Sequence, residues 1–70
     1  MEVLVFKTNV KDIEQVNSIS HRLNEALGFR KWNFDLDDCD KIFRVEVLTT
    51  PSNEIINLFD SLGYYCEELL

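Results

Sequence analysis

A change of hydrophobic period, made twice in the same order, constrains this chain more than any other feature. It begins between Glu2 and Thr8 with Val3-Leu4-Val5-Phe6, a continuous apolar run typical of a central strand with both faces partly occupied. The period then changes. Ile13, Val16, Ile19, Leu23, Ala26 and Leu27 recur at steps of three and four, which is one face of an amphipathic helix. Thr8-Asn9 offers that helix an N-cap, and Asp12 places a carboxylate at its positive end. Gly28 suits the left-handed turn that closes it.

From Phe29 to Leu36 the period drops to two, with Trp32, Phe34 and Leu36 alternating with Lys31, Asn33 and Asp35. Asp37-Asp38-Cys39-Asp40 reads as a turn. Lys41 to Leu48 alternates again with Phe43, Val45 and Val47 on one side, so the pair is a β-hairpin. Helical spacing returns in Ile55, Leu58, Phe59 and Leu62, with Thr50 as the expected N-cap and Pro51 at the first helical position, where a missing amide costs nothing. Gly63 ends this helix and Tyr64 to Leu69 forms a last short strand.

The order is β-α-β-β-α-β over residues 1–70, read as a single domain. Two helices that must cover one face of a four-stranded sheet make a ferredoxin-like α+β sandwich. At 46% hydrophobic residues, with 2 Gly and 1 Pro, the chain is too apolar and too unbroken to stay disordered. Its 13 acidic against 7 basic residues give a net charge of −6. That balance argues against nucleic acid, whose binding needs a basic footprint, and against an anionic membrane surface. The first apolar run is too short for a signal sequence or a membrane span. Two cysteines, Cys39 and Cys66, cannot define a secreted disulfide framework, so the expectation is a soluble cytoplasmic chain with both thiols reduced.

At this level the chain resembles the heavy-metal-associated domain family, the fold of small copper chaperones and of the metal-binding domains of transport ATPases. Gly28-Phe29 stands where that family enters its second strand, and Gly63-Tyr64 where it enters its last. Ile19 and Leu23 match two apolar positions of its first helix. The resemblance spans essentially the whole chain and implies a metal site, M-x-C-x-x-C, at the junction of the first strand and first helix. Two thiolates at that spacing clamp a soft monovalent ion or zinc. Here an ungapped match puts Val10 at the methionine and Asp12 and Gln15 at the cysteines. A shifted match puts Asn9 and Asp12 there instead. Neither supplies a thiolate, so the reading is a member-like scaffold that carries no cofactor.

Several residue sets remain as candidates for chemistry. In this topology the first strand–helix junction, the hairpin turn and the start of the last strand share one end of the domain. An alternative metal site would draw on Asp12, Cys39 and Cys66, beside Asp37, Asp38 and Asp40. The competing reading is a solvated acidic turn with Cys66 packed as a small apolar side chain. Asp35, Asp37 and Glu46 only superficially echo a calcium loop, because the sixth position is Asp40 rather than glycine and the flanks are strands. Ser18, His21 and Glu25 share one side of the first helix, opposite its apolar stripe, where no pocket would exclude water from a nucleophile. Trp32, Phe34, Phe43, Tyr64 and Tyr65 could suggest an RNA-recognition sheet, which shares this strand order, but Lys41–Leu48 lacks that module's glycine and alternates as an ordinary core strand.

The last candidate is the sheet face without helices. If Leu4 and Phe6 point towards the helices, then Val3 and Val5 point away, beside Ile42, Arg44, Glu46 and Leu48. An apolar centre of Val3, Val5, Ile42 and Leu48 with a charged rim has the composition of a modest protein interface. The sequence therefore predicts a non-enzymatic binding module, contacting either another protein or a second copy as a weak homodimer.

Overall fold

The computed structural model describes residues 2–28, 31–37, 39–48 and 51–69. Among them the elements run β1 (Glu2–Thr8), α1 (Ile13–Leu27), β2 (Trp32–Asp35), β3 (Ile42–Val47), α2 (Ser52–Ser61) and β4 (Cys66–Glu68). The four strands form one antiparallel sheet in the order β2-β3-β1-β4, the ferredoxin-like arrangement the sequence predicts. Register follows directly from the alternation. Leu4 lies opposite Val45 and Phe6 opposite Phe43 across β1 and β3, while Phe34 lies opposite Phe43 across β2 and β3.

One face of the sheet buries Phe6, Phe43, Val45 and Val47 against Val16, Ile19, Leu23 and Leu27 of α1 and Ile55 and Phe59 of α2. Both helices thus cover the same face. Phe43 is the hub of this core. Its ring lies 5.0 Å from Phe34, 4.9 Å from Phe59, 6.0 Å from Trp32 and 6.3 Å from Phe6, all in tilted geometries that aromatic quadrupoles favour. Burying large rings this densely is how so short a chain gathers enough apolar contact to fold.

Several boundaries and side chains differ from the sequence reading, each for a local reason. The N-cap of α1 is Asp12, whose Oδ1 accepts from the Gln15 amide at 2.9 Å, and not Thr8-Asn9. Gln15 Oε1 in turn accepts from the Lys11 amide at 2.9 Å. Ile13 and Ala26, expected in the buried stripe, are exposed. At 100° per residue they lie roughly 65–75° from the centre of the stripe made by Val16, Ile19, Leu23 and Leu27. Pro51 sits at the cap of α2, in extended conformation (φ −67°, ψ 148°), rather than inside the helix, and provides no side-chain cap. The expected cap Thr50, like Phe29, Arg30 and Asp38, lies outside the described residues. β2, β3 and β4 are shorter than the segments Phe29 to Leu36, Lys41 to Leu48 and Tyr64 to Leu69 that the sequence marks as strands. The two glycines behave as expected. Gly28 (φ 63°) and Gly63 (φ 87°) both occupy the left-handed region that side-chain-bearing residues avoid.

Candidate interaction surface

The end of the sheet that holds the β1–α1 junction and the β2–β3 turn is built around Thr8. Its amide donates to the Asp40 carbonyl at 3.2 Å, and its hydroxyl donates to the Lys41 carbonyl at 2.6 Å. The same hydroxyl accepts from the Val10 amide at 3.2 Å. Thr8 is buried, 5% exposed; its bonds to Asp40 and Lys41 close β1 onto the β2–β3 turn, and its bond from Val10 holds the start of the β1–α1 junction to the same hydroxyl. Next to it, Asn9 Oδ1 accepts from the Tyr65 amide at 2.8 Å, which fixes the entry into β4. The three segments therefore do share one end of the domain, as the topology requires.

What they do there is structural. Asp12 commits a carboxylate oxygen to capping α1. Gln15 spends its side-chain oxygen on the Lys11 amide. Val10 is fully buried. Cys66 lies in the core at the start of β4, opposite Thr8, and burial pushes its thiol up to about 12. Such a group is a neutral thiol near pH 7, not the thiolate a soft ion requires. Cys39 is exposed in the turn. Among the described residues, no three side chains of His, Cys, Asp or Glu stand close enough together to hold a metal ion. Lys7 Nζ approaches Asp40 Oδ1 at 3.7 Å, and Lys41 Nζ donates to the Leu36 carbonyl at 2.8 Å, so cations already answer part of the turn's negative charge. Lys41 itself adopts φ 50°, the one described residue other than glycine in the left-handed region.

On the outer side of α1, His21 Nε2 lies 3.2 Å from Glu25 Oε1 as an i,i+4 pair, and both are exposed. Ser18 Oγ donates backwards to the Gln15 carbonyl at 2.8 Å instead of towards His21. The three residues stay on a convex, solvated helix face and form no relay.

The sheet face turned away from the helices is different in kind. Alternation along each strand puts Val3, Val5 and Lys7 of β1 on it, with Ile42, Arg44 and Glu46 of β3, Asn33 and Asp35 of β2 and Glu67 of β4. Leu69 joins them, its amide donating to the Val5 carbonyl at 2.8 Å. Lys31 joins at the other margin, its carbonyl accepting from the Glu46 amide at 2.8 Å. Val3 is 57% exposed, Leu48 just past β3 is 75%, and Tyr65 and Leu69 beside β4 are 52% and 39%. These are four of the five exposed large apolar side chains among the described residues; the fifth, Ile13, opens α1. Val5 is half-buried. Ile42, expected at this surface, is only 4% exposed and offers a partner little area. It stands between Asp35 and Lys7 in register, within a sheet row closed by Glu67.

Charges on this face alternate in sign. Arg44 Nη1 lies 3.8 Å from Asp35 Oδ2, Lys7 neighbours Glu67 across β1 and β4, and Lys31 neighbours Glu46 across the β2 and β3 strands. Tyr65 donates its hydroxyl to Glu67 at 2.8 Å, a bond to the neutral phenol that raises its pKa. An open groove of about 630 Å³ runs over the Lys31 end, between Val3, Lys31, Trp32, Arg44 and Glu46. Trp32 is held there by its indole N–H, which donates to Asn24 Oδ1 at 3.0 Å. Sequence reasoning placed Val3, Val5 and Leu48 here but missed Tyr65 and Leu69, since both flank a strand too short to show its own alternation. No family model, no curated protein and no solved structure matches this chain. No described helix is long and apolar enough to cross a membrane.

Proposed function

We propose that this chain is a non-enzymatic protein-interaction module, a heavy-metal-associated-like domain that uses its uncovered sheet face as the contact surface. The observation that carries this reading is the gathering of exposed apolar side chains on one side. Val3, Leu48, Tyr65 and Leu69 flank the open sheet, while the opposite face is packed under two helices. Exposed apolar side chains set among charges of both signs have the composition of a modest protein interface. The likeness to the metal-binding family rests on the element order and on the glycines that end both helices. At the positions where that family binds metal, Asp12 and Gln15 instead hydrogen-bond the backbone at the start of α1, which favours a structural use of that end. Two free thiols, one of them exposed, fit a reducing cytoplasm.

The test compares faces. Affinity-tagged Val3→Glu/Leu48→Glu chain, both sites solvent-exposed, is expected to retain none of the proteins held by unaltered chain at matched levels. Ile13→Glu, a charge placed at an exposed apolar residue of α1, should retain all of them. The opposite pattern, loss with Ile13→Glu and retention with the sheet variant, would overturn the reading.

A further inference from the structure

One edge of the sheet is open in a way that matches itself. β2 is the outermost strand beside β3, and no described residue hydrogen-bonds its main chain on the far side. The Glu46 amide donates to the Lys31 carbonyl, so in this register Lys31, Asn33 and Asp35 turn their main-chain groups towards β3. Trp32 and Phe34 therefore turn theirs outwards, a donor and an acceptor each, without a partner among the described residues. Edge strands are ordinarily blunted by brevity, charge or proline. β4, at the other edge, is short and carries Glu67 and Glu68. β2 has charge at its ends alone, Lys31 before it and Asp35 at its close, and the two are of opposite sign. The flank of α1 that holds Trp32 is uncharged as well. Asn24 accepts from the Trp32 indole, and Asn17 and Ser20 lie within roughly 40° of Asn24 around the helix. Glu14, His21, Arg22 and Glu25 lie roughly 60–160° from it.

We infer that β2 pairs with β2 of a second copy, antiparallel and with the two-fold axis at Asn33, so that two sheets become one. The inference goes beyond the open-face reading and stands apart from it. Its register follows from the strand itself. Trp32 exchanges both main-chain bonds with the partner's Phe34, and Phe34 with the partner's Trp32, the groups left unpaired in one copy. Their rings then stand next to each other on the helix side of the sheet, as an aromatic cross-strand pair. Lys31 falls opposite the partner's Asp35, and Asp35 opposite the partner's Lys31. A slip of one residue would set outward groups against inward ones. The contact is small. A four-residue edge and a charge of −6 on each copy keep it weak, with the repulsion reaching about 8 Å at 0.15 M salt.

The test addresses the charge pair and the axis separately, at about 0.15 M salt and up to about 1 mM chain. Light scattering of the unaltered chain is expected to give a mass rising from monomer towards dimer with concentration. Lys31→Glu sets like charges opposite each other, as does Asp35→Lys, and each should weaken self-association at least about threefold. Both side chains reach solvent, so the fold tolerates the exchange. An equimolar mixture of the two variants restores both pairs and should associate as tightly as the unaltered chain. Asn33→Cys in a Cys39→Ser chain brings two thiols together across the axis, at a Cα spacing of about 4.5 Å that a disulfide accepts. With oxidised glutathione it should form a covalent dimer at least about tenfold faster than Val3→Cys in the same background. A monomeric mass at every concentration overturns the pairing. So does a mixture no tighter than either variant alone, and so does equal oxidation of Asn33→Cys and Val3→Cys. None of these results touches the open-face reading, which its own variants test.

Discussion

A single hydroxyl shows how this domain has disposed of its strand–helix junction. Thr8 bonds the Lys41 carbonyl and the Val10 amide from inside the core, at the junction of β1 and α1. Cys66, its neighbour in register, is treated the same way. Burial raises its thiol from an ordinary 9.0 to about 12, so folding favours the protonated form. The stabilisation this brings is fully present below about pH 9, where the thiol is neutral in both folded and unfolded chain, and is lost as pH climbs towards 12. The melting temperature of the protein is therefore expected to fall more steeply across that alkaline range than that of Cys66→Val. Parallel slopes for the two chains would contradict the assignment. The thiols should also separate by reactivity at pH 8, Cys39 titrating with a disulfide reagent at once and Cys66 only after denaturant is added.

At the scale of elements, the hydrophobic period located all six segments, and the reason lies in particular residues. Phe43, Val45 and Val47 alternate with charged or outward-facing neighbours, and Val16, Ile19, Leu23 and Leu27 keep one helical face, so a buried side and an exposed side are written locally. What the pattern could not decide was settled by contacts distant in sequence. Asn9 and Asp12 are both good capping residues, and only the fold shows that Asn9 is occupied by the Tyr65 amide, 56 positions later. The burial of Ile42 on the open face was equally illegible, because it depends on Asp35 and Lys7 arriving beside it from two other strands. The candidate surface was legible through Val3, Val5 and Leu48, whereas its β4 side needed the sheet order. Thr8 ties three of these elements together, so Thr8→Val should leave the Lys41 carbonyl and the Val10 amide without a partner. The expected cost is about 1–3 kcal/mol in urea unfolding, with Thr8→Ser losing less. Equal stability of Thr8→Val and the unaltered chain would show that the junction is held by other contacts.

For the whole molecule, the two faces of the sheet differ in kind. One side of the sheet is spent on an aromatic core centred on Phe43 and closed by both helices. The other keeps Val3, Leu48, Tyr65 and Leu69 in solvent around charges that cancel, on a chain whose net charge is −6. A purely structural sheet of this size has little need for such a division, because exposed apolar groups on it add to aggregation without adding to the core. The most direct test is a photocrosslinking walk in the native cell, with a photoreactive amino acid placed singly at Val3, Arg44 and Glu46 on the sheet and at Ile13, Glu25 and Glu54 on the helices. The account predicts discrete adducts of defined mass from the three sheet positions and none from the helices. Adducts from the helix positions alone, with the sheet positions silent, would contradict it.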